Sequence, residues 1–101
     1  MKLLSVATIS LAFAALPVLA DDIGPDKAMK LVQDGTIKSF EELNGVAAQL
    51  HPGAEIGNTE LEQEYQRHVY EVELRDADNR KWEVKLDAAN AELLSNREDH
   101  D

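Results

Sequence analysis

Residues 69–88 read VYEVELRDADNRKWEVKLDA, and this stretch decides the fold. Apolar side chains stand at every second position on both sides of the polar segment 75–81, and most of the positions between them are charged. Such a period of two predicts two strands that each bury one face and leave the other in water. The stretch is therefore predicted to be a β-hairpin whose buried face carries Tyr70, Val72, Leu74, Trp82, Val84 and Leu86.

The hairpin loop must hold an odd number of residues, because Leu74 and Trp82 share a face only if paired residue numbers sum to an even value. We expect a five-residue loop over 76–80 with Asn79 in the left-handed conformation. A pairing sum of 158 places Glu73 opposite Lys85, whereas a sum of 156 places Glu73 opposite Glu83. Since opposite charges favour cross-strand pairing, we predict the first register.

The first twenty residues have the character of a secretory signal peptide. Lys2 is followed by a mostly apolar segment that ends in the small residues of 18–20, and cleavage is expected after Ala20. Without this segment the chain has 81 residues, which is one small domain (21–95, with a charged tail at 96–101). We therefore expect a periplasmic or secreted protein that is not inserted in the membrane after cleavage.

The charge of the chain restricts its partners. All 20 acidic residues and nine of the ten basic residues follow Ala20, so the mature chain carries a formal net charge of −11. Nucleic acid and anionic lipid are poor partners for such a surface. The chain has no cysteine, so its stability must come from packing and it has no thiol chemistry.

Two helices are predicted before the hairpin. The first begins at Pro25, where proline loses no required donor, and ends at Gly35, which accepts a left-handed conformation. The second begins with the capping box Ser39–Glu42 and ends before Pro52.

Weaker patterns flank these elements. Residues 54–64 alternate poorly and suit an outer strand, with Gly57 marking a bulge. After the hairpin, 87–91 is predicted to be a turn with a left-handed Asn90, and 92–94 a short last strand. The charged segment 96–101 is expected to fray.

Several of these pieces together resemble a PepSY domain over residues 39–94. The resemblance rests on the capped helix at Ser39, the Pro-Gly of 52–53, the segments 60–62 and 69–72, and Asp-Ala at 87–88 followed by Glu-Leu at 92–93. It implies an α+β fold in which a short N-terminal helix and one longer helix pack on an antiparallel sheet of three to four strands. It also implies a non-enzymatic role, as in propeptides of secreted metallopeptidases that act in inhibition or chaperoning.

No catalytic, cofactor or metal site is predicted from the residues themselves. Asp76-x-Asp78 faintly resembles the start of a calcium loop, but Arg80 stands at the next ligand position, so a turn is favoured. His51, His68 and His100 are too scattered for a transition-metal site. No serine or threonine lies near a histidine in sequence with an acid to orient it, so we expect no nucleophilic enzyme.

The predicted function is that of an exported binding module that regulates a peptidase or the outer domain of an envelope sensor. Its predicted contact surfaces are the acidic, solvent-exposed face of the sheet and an open sheet edge. The sequence leaves open whether two chains form a homodimer. The alternative is an acidic periplasmic protein that binds divalent cations. The contact surface is predicted to include Glu71, Glu73, Glu83, Leu61 and Leu93.

Overall fold

The computed structural model describes residues 20–100, and the predicted signal peptide, residues 1–20, lies outside them except for Ala20. Two helices and five strands follow one another in an α+β fold, and the strands form one antiparallel sheet in the order β1-β2-β3-β4-β5. Each strand pairs with the next strand along the chain. The elements are β1 Ala20–Asp22, α1 Pro25–Gln33, α2 Phe40–Leu50, β2 Glu55–Glu64, β3 Arg67–Arg75, β4 Lys81–Asp87 and β5 Leu93–Glu98.

The fold class is confirmed, but the predicted strand number of three to four is too low. The additional strand is β1, whose Ala20 and Asp22 pair with Glu64 and Glu62 of β2. Three residues that include two aspartates carry no alternation of hydrophobic and polar positions. The strand forms because β2 offers an unpaired edge, which the sequence of β1 does not reveal.

Both helices begin and end where their local chemistry predicts. Pro25 is the first residue of α1, and Gly35 after its end has a φ of 78°. Ser39 caps α2, since its Oγ accepts the N–H of Glu42 at 3.1 Å. The Glu42 carboxylate forms an ion pair with Lys38 Nζ at 3.7 Å, just before the helix begins.

The β3–β4 hairpin has the predicted five-residue loop, and Asn79 is left-handed with a φ of 66°. The predicted register is wrong: Glu73 pairs with Glu83, and Lys85 pairs with Glu71. The turn itself provides the reason. Asp76 Oδ1 accepts the backbone N–H groups at positions 78 and 80, each at 2.9 Å, and these bonds close the loop between Arg75 and Lys81. A closed turn fixes register more strongly than cross-strand charge pairs, which contribute only about 0.2–1 kcal/mol each.

The second turn differs from its prediction in one residue. Ala91, not Asn90, is left-handed, with a φ of 66°. The Asn90 Oδ1 instead accepts the N–H of Glu92 at 2.8 Å, so the asparagine stabilises the turn through its side chain. The bulge predicted at Gly57 is confirmed by a register shift between Ile56 and Thr59.

The last strand is longer than predicted, and Asn96 to Glu98 belong to it rather than to a frayed tail. Asn96 pairs with Val84 of β4, and its Oδ1 lies 2.8 Å from His51 Nε2 at the end of α2. The backbone N–H of Asp99 continues the ladder by donating to the carbonyl of Lys81. Backbone pairing with β4 therefore orders polar residues that carry no hydrophobic pattern.

The hydrophobic core lies between the two helices and one face of the sheet. Leu43 and Ala47 of α2 are fully buried against this face, and α2 contacts β2, β3 and β4. The period of two predicted for the hairpin is confirmed, because its apolar positions point into this core. The buried core comprises Ala28, Ile37, Leu43, Ala47, Leu61, Tyr70, Val72, Leu74, Val84, Leu86 and Ala88.

Candidate protein-contact surface

The opposite face of the sheet carries acidic side chains at the alternate positions of three adjacent strands. No helix packs on this face within residues 20–100, because the apolar positions of the strands direct both helices to the other side. We call this surface the acidic face and define it by Glu60, Glu62, Glu71, Glu73 and Glu83.

Like charges stand directly opposite one another on the acidic face. Glu60 pairs with Glu71 across β2 and β3, and Glu73 pairs with Glu83 across β3 and β4. Such pairs destabilise a sheet by their mutual repulsion. Basic neighbours compensate only in part, at 3.7 Å from Lys85 Nζ to Glu71 and at 3.9 Å from Arg97 to Glu83.

Two carboxyl groups of the acidic face, those of Glu62 and Glu71, have raised pKa values. Burial raises the pKa of Glu62 to about 7, and the charge of Glu71 and a hydrogen bond with Glu60 add to this increase. Burial and the charge of Glu83 also raise the pKa of Glu71, against the opposing effect of Lys85. The acidic face therefore gains proton-binding capacity near neutral pH and favours a cationic neighbour.

The structure brings together three of the five predicted contact residues. Glu71, Glu73 and Glu83 are neighbours in the middle of the acidic face. Leu61 is buried in the core with 7% exposure, and its carbonyl accepts the N–H of Ile23 at 2.8 Å. Leu93 is 46% exposed on β5, the outer strand at the opposite edge of the sheet.

A second acidic group at the β1 edge was not found from the sequence. Carboxylate oxygens of Asp22, Glu60 and Glu62 all lie within 4.8 Å of one another. The alternation of Glu60 and Glu62 places both on one face, but Asp22 joins them only through the pairing of β1 with β2. The sequence of β1 has no pattern that predicts a strand. The group is therefore visible only once the pairing of β1 with β2 is known.

A cleft of about 520 Å³ opens beside this acidic group, between α1, α2 and the edge of β2. Its apolar wall includes the rings of Phe40 and Tyr70, which are stacked with their centroids 5.5 Å apart. The Tyr70 hydroxyl donates to Asn44 Oδ1 at 2.8 Å, which fixes the orientation of the ring. Asp22 and Glu60 also line the cleft, but their carboxylates lie with that of Glu62 on the acidic face.

The predicted turn at Asp76 is confirmed, and its carboxylate accepts three hydrogen bonds within the hairpin. Besides the two backbone bonds of the loop, Asp76 Oδ2 accepts the indole N–H of Trp82 at 2.9 Å. This bond and the two backbone bonds lower the pKa of Asp76. A carboxylate with three protein donors stabilises a turn and has little capacity left for a calcium ion.

The three histidines make different local contacts. His51 packs on Trp82 with ring centroids 4.5 Å apart, and His100 lies 3.7 Å from Glu98. The backbone carbonyl of His68 accepts the N–H of Ala88. Among residues 20–100, no helix combines the length and apolar character needed to cross a bilayer.

Comparison with known proteins identifies one family. The PepSY family model, described as "Peptidase propeptide and YPEB domain", matches residues 22–97. The match includes both helices and nearly the whole sheet. Neither a curated protein nor a solved structure matches the chain significantly.

Proposed function

Because the chain belongs to the PepSY family, we propose that it is an exported regulatory module that binds a peptidase and modulates its activity. PepSY domains are generally non-catalytic propeptide or regulatory modules of peptidases, and they are typically extracellular or periplasmic. The signal peptide predicted up to Ala20 supports export of this chain. The outer domain of an envelope sensor is the other class of partner that the proposal includes.

The acidic face is the proposed contact surface, and the Glu73–Glu83 pair is the observation that carries this assignment. Two carboxylates directly opposite each other weaken the sheet, so they serve folding poorly. A partner with a basic surface relieves the same repulsion on binding and associates faster through electrostatic attraction. Leu93 on the exposed edge strand β5 is a second proposed contact, where a partner strand can add to the sheet.

A cleavage assay tests the proposed function. The chain is titrated into an exported peptidase encoded beside it, at low salt and at high salt, and the initial rate of peptide cleavage is measured. We expect the rate to change with added chain at low salt and the effect to shrink at high salt, because salt screens an exposed electrostatic contact. No change of rate at any ratio or salt concentration would overturn the proposal for this peptidase.

Two variants make the assay specific to the acidic face. The double variant Glu73→Gln, Glu83→Gln is expected to lose most of the effect on cleavage. Glu41→Gln is the matched control, since it removes one exposed carboxylate on α2, on the other side of the sheet. An equal loss in both variants would indicate that net charge, rather than this surface, governs the effect.

Divalent-cation binding is a second candidate function, favoured by the close approach of Asp22, Glu60 and Glu62. Carboxylate oxygens are the ligands that calcium prefers. A cation bound at this group is expected to raise the melting temperature as calcium is added, and Glu60→Gln is expected to reduce the increase. A melting temperature that stays constant across calcium, magnesium and zinc series would exclude this function.

A further inference from the structure

The predicted signal-peptide cleavage point lies inside the first strand of the sheet. β1 runs from Ala20 to Asp22, and cleavage after Ala20 by a signal peptidase cuts the bond between its first two residues. Hydrolysis consumes one water, whose oxygen completes the Ala20 carboxylate and whose two protons convert the Asp21 amide nitrogen into an α-ammonium. The direction in which this nitrogen points therefore decides what cleavage does to the sheet.

The register of β1 on β2 turns the nitrogen of Asp21 toward β2. Ile23 N–H donates to the Leu61 carbonyl at 2.8 Å, so these two residues form a hydrogen-bonded position of the ladder. In an antiparallel pair such positions recur at every second residue. Asp21 stands two residues before Ile23 and is paired with Gln63, so its nitrogen donates to the Gln63 carbonyl.

Removal of Ala20 takes no backbone hydrogen bond from this ladder. Ala20 pairs with Glu64, one residue away from a hydrogen-bonded position, so the backbone groups of Glu64 face away from β1. They face β3 instead, where Glu64 is paired with Arg67 across the turn. Cleavage one residue later would remove Asp21 and its bond to Gln63. A cut after Ala20 is therefore the last one that keeps the β1 ladder intact.

The nitrogen of Asp21 lies among carboxylates. Glu62 and Glu64 are the neighbours of Gln63 on β2, and both stand on the acidic face. Asp22 is paired with Glu62, and their carboxylate oxygens lie within 4.8 Å of each other. None of the ion pairs formed among residues 20–100 includes these three carboxylates. A positive charge placed beside them is therefore favourable.

Basic side chains of the adjacent strands are engaged with other carboxylates. β2 is the element on which β1 packs, and β3 lies beyond it. On β3, Arg67 pairs with Asp87 at 3.5 Å, and on β4, Lys85 pairs with Glu71 at 3.7 Å. The α-ammonium is thus a cation that cleavage itself adds to this edge.

We propose that signal-peptide cleavage strengthens the sheet edge, because the new α-ammonium of Asp21 anchors β1 on β2 beside the carboxylates of Glu62 and Glu64. One ammonium hydrogen keeps the bond to the Gln63 carbonyl, and the charge relieves the repulsion among the carboxylates. Strand residues are about 3.4 Å apart, so both glutamates are near enough for an attraction that salt screens only beyond about 8–10 Å. The proposal rests on export of the chain, and it does not require a peptidase as the partner.

Acetylation of the terminus tests the inference on the chain of residues 21–101. The acetyl group keeps one N–H for the Gln63 carbonyl but removes the charge. At pH 7 we expect the free-amine chain to protect the amides of Ile23 and Gln63 from hydrogen exchange about threefold more strongly than the acetylated chain. Its melting temperature is expected to be higher by on the order of 2–5 °C. Equal protection and equal melting temperatures would overturn the inference.

The pH dependence of this difference separates the charge from the shape of the terminus. An α-ammonium in an ordinary environment loses its proton at about pH 8, and nearby carboxylates delay that loss. The stabilising contribution is therefore present at pH 7 and is lost as the pH rises through the titration of the amine in the folded chain. We expect the two forms to melt alike at about pH 10. A difference that persists undiminished there would contradict the inference.

Two variants and the exported protein itself locate the contact. The double variant Glu62→Gln, Glu64→Gln is expected to lose at least about half of the effect of acetylation, whereas Glu41→Gln on α2 keeps all of it. An undiminished effect in the double variant would contradict the proposed position of the ammonium. Sequencing the terminus of the exported protein is expected to give Asp21. Any other terminus would overturn the inference, and the peptidase assay would still decide the proposed function.

Discussion

The two faces of the sheet are built from the same strands but differ in what their side chains do. On the helix-covered face, Val72, Val84 and Leu86 are fully buried and the interactions favour folding. On the acidic face, Glu73 stands opposite Glu83 and the interaction opposes folding. One face therefore holds the structure together, while the other carries opposed like charges, which the proposed function assigns to contact with a partner.

The covered face should account for the largest effect of any single substitution. Leu43→Ala removes a fully buried side chain from α2 and is expected to destabilise the protein by about 2–5 kcal/mol. A loss of this size approaches the whole stability of a small domain. Urea denaturation followed by the fluorescence of Trp82 measures it.

The control for this substitution lies on the same helix. Gly45→Ala adds a methyl group that meets no atom within 4 Å, and it is expected to stabilise α2 by about 1 kcal/mol. If Leu43→Ala lowers the free energy of unfolding by less than about 1 kcal/mol, packing of α2 on the sheet is not a main source of stability.

The acidic face should make stability depend on pH through Glu62. The pKa of this carboxyl is raised from 4.5 to about 7 in the folded state, so between these pH values the folded chain holds a proton that the unfolded chain has released. Its stabilising contribution is therefore complete below pH 4.5 and is lost as the pH rises through 7. We expect Glu62→Gln to equal the wild type in stability at low pH and to exceed it by on the order of 1 kcal/mol at pH 8.

Urea denaturation of both proteins between pH 5 and pH 8 measures this difference. Glu41→Gln on the exposed side of α2 serves as the control, and its difference from the wild type is expected to stay constant with pH. A constant difference for Glu62→Gln as well would contradict the raised pKa of Glu62 and the burial and repulsion that cause it.

The smallest expected effect comes from reversing one charge of the Glu73–Glu83 pair. Glu73→Lys places opposite charges across β3 and β4, and it is expected to stabilise the fold by about 0.2–1 kcal/mol. The same variant is expected to weaken the effect on the partner peptidase, so stability and function change in opposite directions. A variant that is less stable than the wild type would contradict the repulsion inferred for this pair.

Sequence patterns predicted the covered face well because its elements are defined by local chemistry. The alternation around Tyr70 and Val84, the cap at Ser39 and the stop at Gly35 each act within a few residues. The same alternation also predicted an acidic, solvent-exposed face, since Glu71, Glu73 and Glu83 occupy the positions between the apolar ones.

The features that sequence patterns did not predict depend on contacts between distant residues. Backbone pairing with neighbouring strands orders β1 and the end of β5, and neither shows a hydrophobic pattern. The hairpin register was predicted from charge pairing, but the hydrogen bonds of Asp76 decide it. The acidic group at the β1 edge needs Asp22, Glu60 and Glu62 together, and only the pairing of β1 with β2 brings them into one place.

The most direct test of the division between the two faces measures stability and binding on one variant. The double variant Glu73→Gln, Glu83→Gln removes the like charges that stand directly opposite each other across β3 and β4 and leaves the buried side chains unchanged. We predict that its free energy of unfolding equals or exceeds that of the wild type, and that its affinity for the exported partner is at least about tenfold weaker. An unchanged affinity, or a loss of affinity that occurs only together with a loss of stability, would contradict the account.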